Sequence, residues 1–171
     1  MAHSAKERED LIRRYEEGPA RIEGALAKVP SEALKWRPAP EKWSAHEVVC
    51  HCADAETNAA SRIRYLVCEE SPVILGYDQA RWARRLDYHS LPLEPALDTV
   101  RAVRRHTAGL LRRMPPEWWS LSGRHTESGP FSAERWLEVY AEHLEKHARQ
   151  IERNIEAWRT EETKAGVGRR D

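Results

Sequence analysis

The stretch YAEHLEKHARQ, Tyr140 to Gln150, places His143 and His147 four residues apart. On a helix that spacing stacks two imidazoles one turn apart on one face, where they can share a hydrogen-bonding partner or a cation. Spacing alone decides little, because 8 histidines in 171 residues give roughly 0.4 such pairs by chance. The surroundings say more: Trp136, Tyr140, Leu144, Ile151, Ile155 and Trp158 form an apolar stripe, and both histidines fall on it. An imidazole facing a core needs partners for both nitrogens, so the pair reads either as hydrogen-bonded core residues or as two ligands of a metal. A helix pair supplies only two ligands. His51 fits the need for a third, from a facing helix, because it stands beside another apolar stripe two turns inside its helix. Three neutral imidazoles suit a borderline divalent ion, Zn²⁺ or Ni²⁺ with Fe²⁺ as an alternative, and leave a coordination position open to water or substrate.

The elements that must position these residues are helices. The segment Lys6 to Lys28 carries apolar residues at helical spacing but is interrupted by Gly18-Pro19, which predicts a kink or two segments. Ser44 and Glu47 fit a capping box, with Trp43 and Val48 at staple positions, and predict a second helix from Ala45 to about Cys68. Its buried stripe is Val48, Cys52, Ala55, Ala59, Ile63 and Leu66. A long connection, Glu69 to Glu94, holds a short helix started by Asp78. A third helix runs from about Pro95 to Met114 and stops at Pro115-Pro116. Phe131-Ser132-Ala133 then repeats the earlier start signal and opens a last helix to about Arg159. Four substantial helices predict an all-α four-helix bundle, one domain over residues 1–162, with a flexible tail over 163–171.

The formal net charge is zero, so no global positive field gathers phosphates, and no nucleic-acid partner is expected. No run approaches the roughly 20 apolar residues that cross a bilayer, and the first residues lack the apolar core of a signal peptide; the expectation is a cytoplasmic protein without a membrane partner. Cys50, Cys52 and Cys68 make a poor disulfide framework and should be reduced.

WRPAPEKWSAHEVVCHCADAE, Trp36 to Glu56, resembles the second-helix signature of the DinB/YfiT-like superfamily, in which a tryptophan-serine cap precedes the first metal-binding histidine by seven residues. YAEHLEKHARQIERN, Tyr140 to Asn154, resembles that family's last-helix signature with its H-x-x-x-H pair. The resemblance covers nearly the whole chain. It implies an up-down-down-up bundle, a metal held by His51, His143 and His147, and a homodimer. It also implies kinship with thiol transferases whose metal activates a low-molecular-weight thiol, and with members described as metal-dependent hydrolases. One departure is Cys52, where the family commonly has leucine; it reads as a small core residue, rotated about 100° from His51 on the helix.

The favoured expectation is therefore an enzyme that uses a divalent ion and a thiol co-substrate on a small-molecule electrophile. The alternatives are a hydrolase that activates water, and a non-catalytic bundle whose metal or pocket only binds. Asp54 is a candidate acceptor for a liganding imidazole, or an ordinary boundary carboxylate. His125 reads as an exposed loop residue or a substrate contact. His46, His89 and His106, and basic doublets such as Arg104-Arg105, read as surface positions. Trp118-Trp119 would cover a pocket, fill a dimer contact or pack on the bundle end.

Overall fold

In the computed structural model, which describes residues 3–167, the serine signals read from the sequence are helix caps. Helix α1 spans Ala5–Leu26 and α2 spans Ala45–Cys68; each begins with a complete capping box, Ser4 with Glu7 and Ser44 with Glu47. Strand β1 (Val73–Ile74), helix α3 (Gln79–Arg85, capped by Asp78) and helix α4 (Leu93–Leu111) follow. Strands β2 (Ser122–His125) and β3 (Gly129–Ser132) lead into α5, Ala133–Val167, where Ser132 Oγ accepts the amide of Arg135 at 3.1 Å. The cap of α2 orients the helix that carries His51. A Ser44→Ala variant is expected to lose about 1 kcal/mol of stability, read from the midpoint of urea unfolding; an unchanged midpoint would show that the cap contributes nothing.

Cross-helix bonds give the direction of each pair. Arg8, Arg14 and Lys28 of α1 and its C-terminal edge meet Glu134, Glu145 and Glu152 of α5 in the same order, so these helices run parallel. His46 reaches Leu91 O before α4 while Glu56 meets Arg104 within it, so α2 and α4 are parallel too. Trp43 O accepts from Asn154, and Ala59 O from Trp136 Nε1, which sets α2 against α5 antiparallel. Arg101 and Arg112 bind Glu23 and Glu16, setting α4 antiparallel to α1. The bundle is up-down-down-up, and the two like-directed neighbours on each side are what long crossover connections permit.

Of the two outcomes expected at Gly18-Pro19, a split into two segments does not occur: α1 is one helix with Pro19 inside it. Proline removes the amide that would bond the carbonyl four residues earlier, here Tyr15. That carbonyl instead accepts from Arg104 Nη1 at 2.5 Å. Gly18 leaves room for this approach, since a β-carbon there would lie 3.0 Å from both Arg104 Nη1 and Leu144. Arg104 is thus corrected from a solvated helix face to a fully buried residue.

The connections also hold a three-stranded sheet, β1-β2-β3, with β1 parallel to β2 and β2 antiparallel to β3. Its strands are too short for alternation to show in the sequence. The hairpin closes at Gly129, whose φ of 77° favours glycine. The last helix continues to Val167, past the end expected at about Arg159 and into the expected tail, because no proline or capping glycine stops it earlier; the remainder of that tail, 168–171, lies outside the described residues.

Candidate metal centre

His51 lies two turns into α2, on the side that faces α5, and is wholly buried. His143 and His147 lie a turn apart on α5 and are half-buried. The antiparallel packing of α2 on α5 brings the three rings together: centroids are 4.8 Å apart for His51 and His147, 5.8 Å for His51 and His143, and 4.6 Å for the α5 pair. One nitrogen from each ring can be chosen so that all three lie within 4.8 Å of one another. The structure therefore joins the three residues singled out in the sequence.

The hydrogen bonds around the rings assign their protons. His143 Nδ1 donates to Glu56 Oε1 at 2.7 Å, because a carboxylate can only accept. His147 Nδ1 likewise donates to Gln150 Oε1 at 2.9 Å. With each ring carrying its proton at Nδ1, both Nε2 atoms hold lone pairs and face each other at 3.2 Å. His51 adds two buried nitrogens that have no hydrogen-bond partner among the described residues. Burial, reinforced by His147 and His143, pushes His51 down to about 2, and burial with His143 pushes His147 down to about 4, so both are neutral at physiological pH. Converging lone pairs on buried imidazoles are what a cation satisfies. The donor set fits a divalent ion with three histidine ligands. Trp43 packs on His51 at 4.7 Å between centroids and shields it, whereas 17% of the His143 side chain remains exposed, so access is from the α5 side.

Sequence reasoning missed Glu56 and Arg104. Both are fully buried, and Arg104 grips Glu56 with two bonds of 2.7 and 2.6 Å while also donating to Tyr140 O and stacking 3.9 Å over the Tyr15 ring. Burial alone would raise Glu56, but the Arg104 guanidinium and the His143 hydrogen bond overcome it and hold the carboxyl well below its usual range. Glu56 thus fixes the tautomer and orientation of His143. Its position four residues after Cys52 and three before Ala59 puts it on the edge of the apolar stripe, which was the available signal; only the arginine from α4 makes its burial tolerable.

Other candidates resolve differently. Asp54 accepts from Tyr88 Oη, and so serves the α3 connection rather than an imidazole. His125 is buried, not exposed: its Nδ1 accepts the amides of Glu127 and Ser128 and shapes the hairpin. His46 is also buried, because its Nε2 reaches Leu91 O at 2.7 Å, and His89 is half-buried against Glu47; His106 is exposed as expected. Trp119 is buried and Trp118 packs beside it on the bundle end.

All three cysteines are free, and Cys52 is a core residue with no exposure. Burial, ahead of nearby Asp54 and Glu47, pushes the Cys50 thiol up to about 11, and burial raises Cys52 well above its ordinary range. Only exposed Cys68 is expected to react with an aromatic disulfide reagent at pH 8. Prompt reaction of a second thiol in the folded protein would contradict this packing.

The model of the DinB superfamily matches residues 14–151 of this sequence. The chain belongs to the DinB superfamily. Several relatives of this chain carry the name "Putative metal-dependent hydrolase". One from Oceanobacillus iheyensis is 31% identical over 142 residues, 83% of this chain and 82% of the relative. One from Geobacillus thermodenitrificans is 31% identical over 64% of this chain and 62% of its own length. YfiT from Bacillus subtilis is 24% identical over 86% and 84%. The solved structure of YfiT, described as an unusual four-helix bundle topology, superposes with a TM-score of 0.83 over 90% of this chain and 88% of that one, at 23% identity. The DinB fold and the crossover pattern derived from the cross-helix bonds therefore agree. Among the described residues, no helix is long and apolar enough to cross a membrane.

Proposed function

We propose that this protein is a metal-dependent enzyme in which His51, His143 and His147 hold one divalent cation, Zn²⁺ or Ni²⁺ with Fe²⁺ as an alternative. The observation that carries the reading is the convergence of imidazole nitrogens, two of them facing each other at 3.2 Å, beside a buried ring with no hydrogen-bond partner among the described residues. The name carried by its relatives supports the same reading. When bound, the ion would supply Lewis acidity that generates a strong nucleophile near neutral pH at its open position.

The chain's own residues prepare that position. Glu56, clamped by Arg104, holds the His143 ring with its Nε2 aimed inward; Gln150 does the same for His147. Trp43 excludes water from the His51 side. The nucleophile we favour is a low-molecular-weight thiol, making the reaction an S-transfer to a small electrophile. It is supported by the engagement of both carboxylates next in line on α2 after His51: Asp54 is taken by Tyr88, and Glu56 by Arg104 and His143, so neither is free to deprotonate a water. Water remains the second reading, supported by the hydrolase name of the relatives. A homodimer is part of the proposal, with Val73 and Leu75 of the β1 segment, 50% and 69% exposed, as apolar surface for the contact; light scattering reads it directly. The zero net charge supports a small-molecule substrate over nucleic acid.

The test is metal analysis of the purified protein beside a His147→Ala variant, followed by a screen of thiols and of ester or amide substrates. The expected result is near-stoichiometric metal in the native protein, little in the variant, and turnover only with a thiol present. Equal metal content in both proteins would remove the ligand assignment, and turnover without thiol would move the reading to hydrolysis.

A further inference from the structure

We propose that Arg62 is the anion-binding group of this site and that the small molecule which meets the three histidines carries a carboxylate. The proposal rests on the metal-centre reading and names the class of its ligand.

Arg62 follows His51 by eleven residues on α2, which at 3.6 residues per turn returns it to the same helix face within about 20°. The axial separation is about 16 Å, and helical side chains lean toward the N-terminus, so the arginine reaches back along the α2/α5 seam toward the histidines. Its Nη1 donates to Tyr140 Oη at 2.8 Å, its Nη2 donates to Leu75 O, and its Cζ lies 5.7 Å from the centroid of Tyr77, which in turn packs on Trp82. The Tyr140 ring lies edge-on to His143 at 5.7 Å. Arg62 and His143 therefore flank the same phenol, and both are only part-buried.

The charge of Arg62 is not neutralised by the groups it touches, which are a phenol, a backbone carbonyl and an aromatic ring. The two carboxylates between His51 and Arg62 on α2 are Asp54 and Glu56, and both are committed elsewhere. Guanidinium nitrogens with N–H groups to spare, held in place by neutral acceptors beside aromatic rings, bind a carboxylate in the two-pronged geometry that arginine favours. The geometry thus points to a ligand with a metal-seeking head at the histidines and an anion at Arg62, lying across Tyr140.

The experiment compares mercaptoalkanoic acids of three to six carbons with mercaptoalkanols of matched length, as ligands of the metal-loaded protein, by calorimetry at low ionic strength. The best acid is expected to bind at least tenfold more tightly than its alcohol. Arg62→Met should abolish that preference and Arg62→Lys should retain part of it, both with metal content and circular dichroism unchanged. Acids and alcohols binding alike, or neither binding, to a native protein that holds its metal would overturn the anion site and leave the metal centre standing. A preference that survives in Arg62→Met would also overturn it, by placing the anion elsewhere. Absence of metal from the native protein would instead overturn the reading beneath.

Discussion

Replacing Arg104 with alanine is expected to cost about 3–5 kcal/mol of stability, a fall in melting temperature of roughly 6–20 °C for a chain of this length. Arg104 is wholly buried and is the counter-charge of Glu56, which is wholly buried too. Removing it leaves a carboxylate in the core opposed by burial, and takes a donor from two main-chain carbonyls, Tyr15 O in the first helix and Tyr140 O in the last. The first of these is the carbonyl left free by Pro19, so the same guanidinium both neutralises α2 and repairs α1. Urea unfolding followed by circular dichroism measures the loss; a change under about 1 kcal/mol would place the pair among ion pairs of no consequence. Replacing both partners, Glu56→Leu with Arg104→Met, should recover much of the stability because no charge is left buried. The double variant should still bind metal roughly 10–100-fold more weakly, because His143 loses the acceptor that fixes its tautomer. Stability and metal affinity would then move apart, which a purely structural role for Glu56 does not allow.

A His51→Leu variant is expected to change two quantities in opposite directions. Metal content should fall to background, since α5 alone supplies only two ligands and a chelate of two imidazoles does not close a site. The metal-free protein should meanwhile become more stable by about 1–3 kcal/mol, because leucine fills the same buried space without two unpartnered nitrogens. In the native protein a bound ion would offset that burden, contributing about 4 kcal/mol at a free concentration a thousand times Kd. Thermal melts with and without chelator, beside elemental analysis, read both quantities. Retention of metal by His51→Leu would sink the three-histidine site, and a strong loss of stability in the metal-free variant would show that the ring is held by packing alone.

The helices and the three histidines were legible in the sequence for reasons local to the chain. Ser44 with Glu47 and Ser132 before Ala133 mark the starts of α2 and α5, and the 3.6-residue period of Val48, Cys52, Ala55, Ala59, Ile63 and Leu66 assigns the buried face. His143 and His147 are neighbours through helix geometry and need no tertiary contact to share a face. The third histidine was found only because two buried imidazoles on one helix leave a cation under-coordinated.

What tertiary structure alone decided is where charge is buried and which rings lie at the core. Arg104 sits in an RR doublet of a highly charged chain; it falls on the helical spacing of buried Leu97, Val100, Thr107 and Leu111 and exposed Arg105 does not, but that spacing does not say what neutralises a buried guanidinium. Its place in the core depends on Glu56 from one helix, a carbonyl freed by Pro19 in a second and a carbonyl of Tyr140 in a third. His46 and His125 are buried for the same reason, each by an acceptor or donor supplied from the chain's own turns and connections. Apolar periodicity is written along one helix and can be read there. The partner that makes a buried charge or imidazole tolerable comes from elsewhere in the chain, and only packing brings the two together.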